Sequence, residues 1–426
     1  MDVRPGYRLT EVGVLPTDWC ASRVQDIADK ITVGFVGSMA HLFVDRGVPL
    51  LRGQNVEPGS LNLENLKFIS EETHQKWKKS ALQPGDVAIV RVGYPGTACS
   101  IPGGFGNLNA ASLVIVGPSP GSLDSHFLTH VLNSEWGRRQ VNALLVGGAQ
   151  QVFNTRTAGA FSIPLPLLPE QCAIATALSD VDALLGGLDR LIAKKRGLKQ
   201  AAMQQLLTGQ TRLPGFHGEW EVKRLGELGW TYGGLTGKTK EDFGVGAGQY
   251  VTFMNVMTSV LIDHEGFDRV RVAPTDSQNR VMRGDLLFNG SSETPEEVAM
   301  CSLMMEDVPD LYLNSFCFGF RLRDRAETDG LFLAYYIRSR EGRELMKSLA
   351  QGSTRYNLSK GALLDASIRL PSLPEQTAIA AILSDMDAEL SAVEARRGKT
   401  LALKQGMMQE LLTGKTRLVP AKGSHA

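Results

Sequence analysis

The chain lacks several features that define whole classes of protein. None of its apolar runs approaches the ~18 residues that a bilayer-spanning helix requires, and the opening MDVRPGYRLTEVG has no apolar stretch of the signal-peptide kind. A cytoplasmic protein without a membrane partner is therefore expected. Cysteine is scarce: Cys20, Cys99, Cys172, Cys301 and Cys317 are scattered, odd in number, and contain no Cys-x-x-Cys pair. This argues against a disulfide framework and a zinc site, and it leaves five small side chains expected to be buried. The 7 histidines are dispersed and do not pair at ligand spacing, so no metal-binding residue is assigned.

Charge of one sign is missing too. The 45 Lys and Arg residues balance 45 Asp and Glu, whereas a DNA binder working alone usually carries a basic domain. No long segment departs from this balance: residues 1–165 hold 14 basic and 13 acidic side chains, and residues 215–370 hold 18 and 22. If DNA is a ligand, the positive charge must be local or supplied by a partner.

Catalytic signatures also fail. Gly237-Lys238-Thr239 and Gly414-Lys415-Thr416 resemble the end of a phosphate-binding loop, but the glycine needed five residues earlier is Tyr232 in one case and Gln409 in the other. Pro84-Gly85-Asp86 resembles the acidic opening of some nuclease motifs, yet the strand after it offers no Asp/Glu-x-Lys, so Gly85-Asp86 reads as a turn. No Gly-x-Ser-x-Gly, His-Glu-x-x-His or amino-methyltransferase tetrapeptide occurs. No catalytic residue is assigned, and the chain is read as a non-enzyme.

What is present is a repeat. Leu165–Pro214 and Leu370–Val419 align without a gap at an offset of 205, with 28 of 50 positions identical. Weaker correspondences precede each copy. Leu15–Trp19 resembles Phe216–Trp220, Pro84–Val87 resembles Arg283–Leu286, Asp124–Arg138 resembles Asp329–Arg343, and Gly148–Asn154 resembles Gly352–Asn357. Two copies of one unit lie in tandem: a first variable domain (1–165), a central helix (166–214), a second variable domain (215–370), and a C-terminal helix with a tail (371–426).

The repeated segments have helical signatures. Pro169 and Pro374 suit a first turn, and Glu170 and Glu375 favour its positive end. Ile174, Leu178, Val181, Leu185, Leu188 and Ile192 alternate at spacings of four and three, as do Ile379, Leu383, Met386, Leu390 and Val393 before Arg397. This is a heptad stripe. It resumes through Leu198, Ala202 and Leu206, and through Leu403, Met407 and Leu411; Gly209 and Gly414 then end the helices. A helix from Pro169 to Thr208 would be on the order of 60 Å long. One narrow stripe on such a helix needs a partner stripe, and the other copy supplies it. Because the chain returns through the second variable domain, the pair is expected to be antiparallel. Gly186, Gly187, Gly197, Gly398 and Gly406 weaken the helices and could mark bends or close approach.

The variable domains read as mixed α/β. Strands are expected at Val87–Val92, Ser112–Val116, Asp285–Phe288 and Phe316–Phe320, with helices over 125–145 and 330–350. The whole is an α+β fold: two tandem mixed α/β domains, separated by two long helices that pair as an antiparallel coiled coil, in a pseudo-twofold internal repeat.

Leu165–Gln171 and Leu370–Gln376 each end in Leu-Pro-Glu-Gln, open a long helix, and follow a divergent domain. In this the chain resembles the specificity (S) subunits of type I restriction-modification enzymes along essentially its whole length. The resemblance implies that each variable domain is a target-recognition domain reading one half of a bipartite site in double-stranded DNA. It implies that the helices dock two methyltransferase subunits and fix the half-site spacing, and that a separate restriction (motor-nuclease) subunit cleaves. It places S-adenosylmethionine, ATP and magnesium in those partners and no cofactor in this chain. Two rivals are weighed against it: a single-chain restriction or methylation enzyme, and a helical scaffold without DNA readout.

Arg, Asn and Gln read base edges, while Lys, Ser and Thr mostly hold phosphates. By these residue types the candidates in the first domain are Arg52, Gln54, Asn55, Arg91, Tyr94, Thr97, Gln150, Gln151, Asn154 and Arg156. In the second they are Lys238, Lys240, Asn255, Asn289, Ser291, Thr354, Arg355, Tyr356, Asn357 and Lys360. Lys76, Lys78 and Lys79 flank Trp77 as candidate backbone grips.

Overall fold

The structure, a computed structural model, describes residues 4–145 and 152–419. It divides into two units, 1–189 with 395–426, and 190–394. Each long helix therefore contributes one half to each unit.

The first unit is built on a four-stranded antiparallel sheet in the order Ala98–Ser100, Val87–Val90, Leu113–Pro118, Ala28–Val33. Val87, Ile89, Val114 and Val116 face a core with Phe127, Leu128, Val131 and Leu132. The second unit repeats the order with Cys301–Leu303, Leu286–Asn289, Cys317–Leu322 and Gly229–Gly233. Each unit adds a second sheet, of five strands in the first and three in the second, containing one parallel pair: Val48–Leu51 with Leu108–Ala110, and Phe243–Val251 with Leu311–Leu313. Most of the strands are short, two to six residues, and long loops join them.

The expected helices over 125–145 and 330–350 are each two helices. Ser125–Asn133 and Glu135–Leu145 break at Ser134; Gly330–Arg338 and Arg340–Leu349 break at Ser339. In both, the serine hydroxyl caps the next helix by accepting from the amide three residues on, Gly137 at 2.9 Å and Gly342 at 3.2 Å. Glycine is required at those positions, because a Cβ would collide with the carbonyl oxygen of Val131 or Tyr336.

The long helices span Leu168–Leu206 and Leu373–Leu411, 39 residues each. They end as expected, with Gly209 and Gly414 at positive φ. Within each unit the halves run antiparallel in one register. In the first, Lys404 pairs with Asp182 and Arg397 with Asp189. In the second, Lys195 pairs with Glu389 at 2.5 Å and Lys199 with Asp387.

Ile174, Leu178, Leu188, Ile192, Ile379 and Leu383 are buried, whereas Val181, Leu185, Met386, Leu390 and Val393 are half-buried. A single partner helix covers only one side of each side chain. The stripe resumes one step later than expected: Leu198 is 53% exposed and Leu403 59%, whereas Leu206 and Leu411 are buried, with Ala202 and Met407 packed against the same cores. The contacting side chains there are the lysines one position on, Lys199 and Lys404. Nor do the helix glycines mark close approach. A Cβ at Gly187, Gly197, Gly398 or Gly406 would meet nothing within 4 Å.

Two further expectations are corrected. Cys99, Cys301 and Cys317 are buried, but Cys20 and Cys172 are exposed. Asn154 and Asn357 are not equivalent. Asn154 caps the helix Thr155–Ala160, and the matching cap in the second unit is Ser359, before Lys360–Asp365; Asn357 lies in a short strand paired with Ser291.

Candidate nucleic-acid interface and helix clasps

In each unit a clasp ties the domain to the helices. Glu170, buried at the start of the first long helix, accepts from Arg417 through both carboxylate oxygens, at 2.7 and 2.8 Å, and from the Trp19 indole at 3.0 Å. Arg417 also donates to both oxygens of Asp18 and lies over the Trp19 ring. Its guanidinium holds the Asp18 carboxyl below the usual range. The second unit repeats the arrangement. Arg212 donates to both oxygens of buried Glu375, at 2.5 and 2.6 Å, and lies over the Trp220 ring. The Trp220 indole nitrogen, unlike that of Trp19, is buried without a partner among the described residues.

The glutamine of each Pro-Glu-Gln is equally specific. Gln171 accepts from the amide of Asp124 and donates to the carbonyls of Ser122 and Pro166, each at 2.9 Å. Gln376 does the same with Asp329, Glu327 and Pro371. Asp124 and Asp329 in turn cap the domain helices by accepting from Phe127 and Phe332. A buried primary amide with all of its groups bonded fixes the angle between helix and domain more narrowly than apolar contact does.

A polar bridge repeats further along each helix. Tyr335 donates to Asp387 at 2.8 Å, and Asp387 pairs with Lys199. In the first unit the same places hold His130, Asp182 and Lys404, with His130 also against the Ser179 hydroxyl at 3.1 Å. Burial pushes the His130 imidazole down to about 4, against the pull of Asp182.

The loops that carry the candidate readers leave one end of the paired strands. Arg52 follows Val48–Leu51, Arg91 follows Val87–Val90, and Phe35 follows Ala28–Val33. Backbone bonds join them: Ala111 donates to Leu51, Phe35 to Ala110, and Ser112 to Phe35. Arg52 and Arg91 each have an Nε buried without a partner among the described residues. The Arg52 guanidinium does have one acceptor, the Asn65 carbonyl at 2.9 Å, whereas among the described residues none meets the Arg91 side chain. Tyr94 is 83% exposed on a braced loop; the Thr97 hydroxyl donates to its carbonyl at 2.8 Å, and Arg138 donates to Thr97 at 3.0 Å. Gln54, Asn154 and Arg156 are exposed, and Phe153, next to Asn154, donates its amide to the Arg91 carbonyl at 3.0 Å. Trp77, between the candidate lysines, stacks on Phe35 at 3.8 Å.

In the second unit Arg355 lies over the exposed ring of Phe316, 5.6 Å from its centroid. Thr354, Asn357, Lys240 and Lys360 are exposed, and Tyr356 is half-buried opposite Ser292. The sequence pattern places Phe316 at the head of a strand, but the strand begins at Cys317 and leaves the Phe316 ring exposed in the turn before it.

Several candidates are withdrawn. Asn55 is buried and bonds the amide of Arg52 and the carbonyl of Asn62. Asn255 does the same with both backbone groups of Asp263. Asn289 is fully buried between the carbonyls of Ser291 and Glu297 and the amide of Met300. Thr97 and Ser291 are buried. The Lys238 ammonium is sequestered against Asp276 at 2.5 Å. These side chains hold loops in shape and cannot also meet a base edge. Gln150 and Gln151 lie outside the described residues.

Two mixed α/β domains, each clasped by the same Glu-Arg device to antiparallel helix halves, define a tandem-repeat architecture. Known proteins agree. The family described as type I restriction modification DNA specificity domain matches residues 217–402. The putative type I restriction enzyme MjaX specificity subunit of Methanocaldococcus jannaschii is 22% identical, covering 97% of each chain. The type I restriction enzyme EcoKI specificity subunit of Escherichia coli is 21% identical over 94% of this chain and 89% of that one. The crystal structure of the S subunit from M. genitalium shares the fold, with a TM-score of 0.60 at 16% identity, over 96% of this chain and 98% of that one. The family model thus covers the second domain and much of the second long helix, while similarity to specificity subunits of type I restriction-modification enzymes runs over nearly the whole chain. Among the described residues no helix is long and apolar enough to cross a membrane.

Proposed function

We propose that this chain reads a bipartite DNA sequence, one half-site per domain, and docks two methyltransferase subunits through its long helices. The observation that carries the reading is the doubling itself: the same sheet order, clasp and helix register occur twice in one chain, as a protein needs if it is to place two related readers on one duplex. Two readers on a spacer gain avidity only where the spacer matches the target. Half-sites about one turn, ~34 Å, apart are expected for readers facing one side of B-DNA.

The readers we propose in the first domain are Arg52, Gln54, Arg91, Tyr94, Asn154 and Arg156. In the second they are Arg355, Asn357, Thr354 and Tyr356, with Lys240 and Lys360 on phosphates. The balanced charge fits a protein whose partners share the phosphate contacts. The methyltransferase subunits bring S-adenosylmethionine, and a restriction subunit brings the ATP- and magnesium-dependent cleavage. The chain itself performs no chemistry and works in the cytoplasm. The test is methylome sequencing of the host with and without this chain: loss of one split methylation motif is expected, and an unchanged methylome overturns the reading.

A further inference from the structure

A groove of about 530 Å³ lies in the second unit, between one face of the first long helix and the break at Ser339. Its helix wall is Gly197, Gln200, Ala201, Met203 and Gln204; its other wall holds Arg338, Arg340 and Arg343. Among the described residues that line it there is no carboxylate.

Two of these arginines are mostly buried. Arg338 donates to the carbonyls of Cys301 and Val256, at 2.5 and 2.7 Å, and to the Ser302 hydroxyl at 3.0 Å. Arg343 donates to the carbonyls of Val298 and of Ala299. Carbonyl dipoles satisfy the donors, and the carboxylate that acts on Arg338, Asp387, is itself paired with Lys199. Burial, reinforced by Arg338, holds the Arg343 guanidinium down to about 10. Arg340 opens the next helix, exposed at the rim.

The first unit offers the contrast. At the repeat offset the helix wall becomes Ala402, Gln405, Gly406, Met408 and Gln409, nearly the same chemistry. The three arginines become Asn133, Glu135 and Arg138, with Glu135 paired to Arg139. The helix face is thus maintained in both copies, while the cationic wall belongs to the second alone.

We infer that this groove receives an acidic segment of a partner protein, which lays a carboxylate against the arginine wall and packs apolar groups on Gly197, Ala201 and Met203. The inference rests on the proposed function and goes beyond it: the two docking positions for like partner subunits are unequal, and the second unit is the stronger. Charge complementarity selects the occupant. A duplex backbone is the poorer fit, since the two inner arginines lie inside a concave groove and only Arg340 stands at the surface.

The test uses the full chain and the host's type I methyltransferase subunit, with binding followed by native mass spectrometry and titration at several salt concentrations. Arg340→Glu reverses the rim charge. Gly197→Trp fills the groove from a position whose Cβ meets no neighbour, so the fold should tolerate it. Both variants are expected to melt like the wild type, to weaken the tighter of two binding steps by about ten-fold, and in the first case to flatten its salt dependence. Binding to a short duplex of random sequence should not change. Unchanged partner affinity in both variants overturns the inference, as does a loss confined to the duplex, which would make the groove a phosphate site. If the wild-type chain binds no methyltransferase subunit at all, the proposed function falls first and the inference with it.

Discussion

Arg417 and Glu170 stand 247 positions apart in the chain and meet in a two-bond ion pair, so that the residues after the second long helix lock the start of the first. Glu170 is nearly inaccessible to water. Removing the arginine leaves a buried carboxylate with only the Trp19 indole for support. Arg417→Met should therefore cost about 3 kcal/mol in the stability of the first unit, the lower end of what breaking a buried pair usually costs. Urea unfolding of the full chain measures it. Adding Glu170→Gln should restore part of the loss, because the charge is then gone. Equal stability of wild type and Arg417→Met would mean that the pair holds nothing together.

The helix register sets the terms of a spacing experiment. A seven-residue deletion in one helix alone slides Asp182, Asp189 and Lys195 off Lys404, Arg397 and Glu389, and should unfold or inactivate the protein. Matched deletions, residues 186–192 of the first helix and 394–400 of the second, keep the remaining pairs in register. Each helix then loses about 10 Å at 1.5 Å per residue. The gap between methylated half-sites should shrink by about three base pairs, at 3.4 Å per step. Methylome sequencing reads the gap directly, and an unaltered gap in a folded, active deletion variant would show that the helices do not set the spacing.

The helices and their pairing were legible because their signals are strong and local: a heptad of apolar residues, prolines at the start, glycines at the end. The sequence alone also shows Glu170 and Arg212 as repeated letters, but not that each clasps the other copy's counterpart, Arg417 and Glu375, since that depends on the antiparallel return. The breaks at Ser134 and Ser339 could have been read from Ser-x-x-Gly, a serine cap with a glycine at the close approach. The reader residues were the least legible. Asn55, Asn255 and Asn289 are of the type that reads adenine, yet their side chains bond backbone inside the fold, and nothing local to them in sequence separates an asparagine that shapes a loop from one that offers itself to DNA.

His130 gives the first unit a pH dependence that the second lacks. Its surroundings are Asp182, Lys404, Asp124 and His126, with desolvation the largest influence. The folded state holds the imidazole neutral down to about 4, whereas the unfolded chain protonates it near the ordinary 6.5. The unfolded state therefore takes up the proton first as pH falls, and stability present at pH 7 is lost by pH 5, on the order of 2 kcal/mol. The second unit has Tyr335 at this place, which does not titrate in that range. His130→Tyr should flatten the difference between urea midpoints at pH 7 and pH 5, and an undiminished difference would assign the pH dependence to other groups.

The two domains should fail independently. Arg91 has a buried nitrogen without an acceptor in the first unit, and Arg355 lies on Phe316 in the second. If each reads a base, Arg91→Ala should cost about 1–3 kcal/mol against the cognate duplex and relax specificity within one half-site only. Arg355→Ala should do the same at the other half-site, and Phe316→Ala should reproduce part of that loss by releasing the guanidinium. Competition binding of the assembled methyltransferase, against duplexes altered in one half-site at a time, separates these outcomes. A variant that weakens both half-sites equally has lost its fold or its partners rather than a base contact, and a melting curve tells these apart. Wild-type discrimination by both arginine variants would remove them from the reading surface and leave Tyr94 and Asn357 as the next residues to replace.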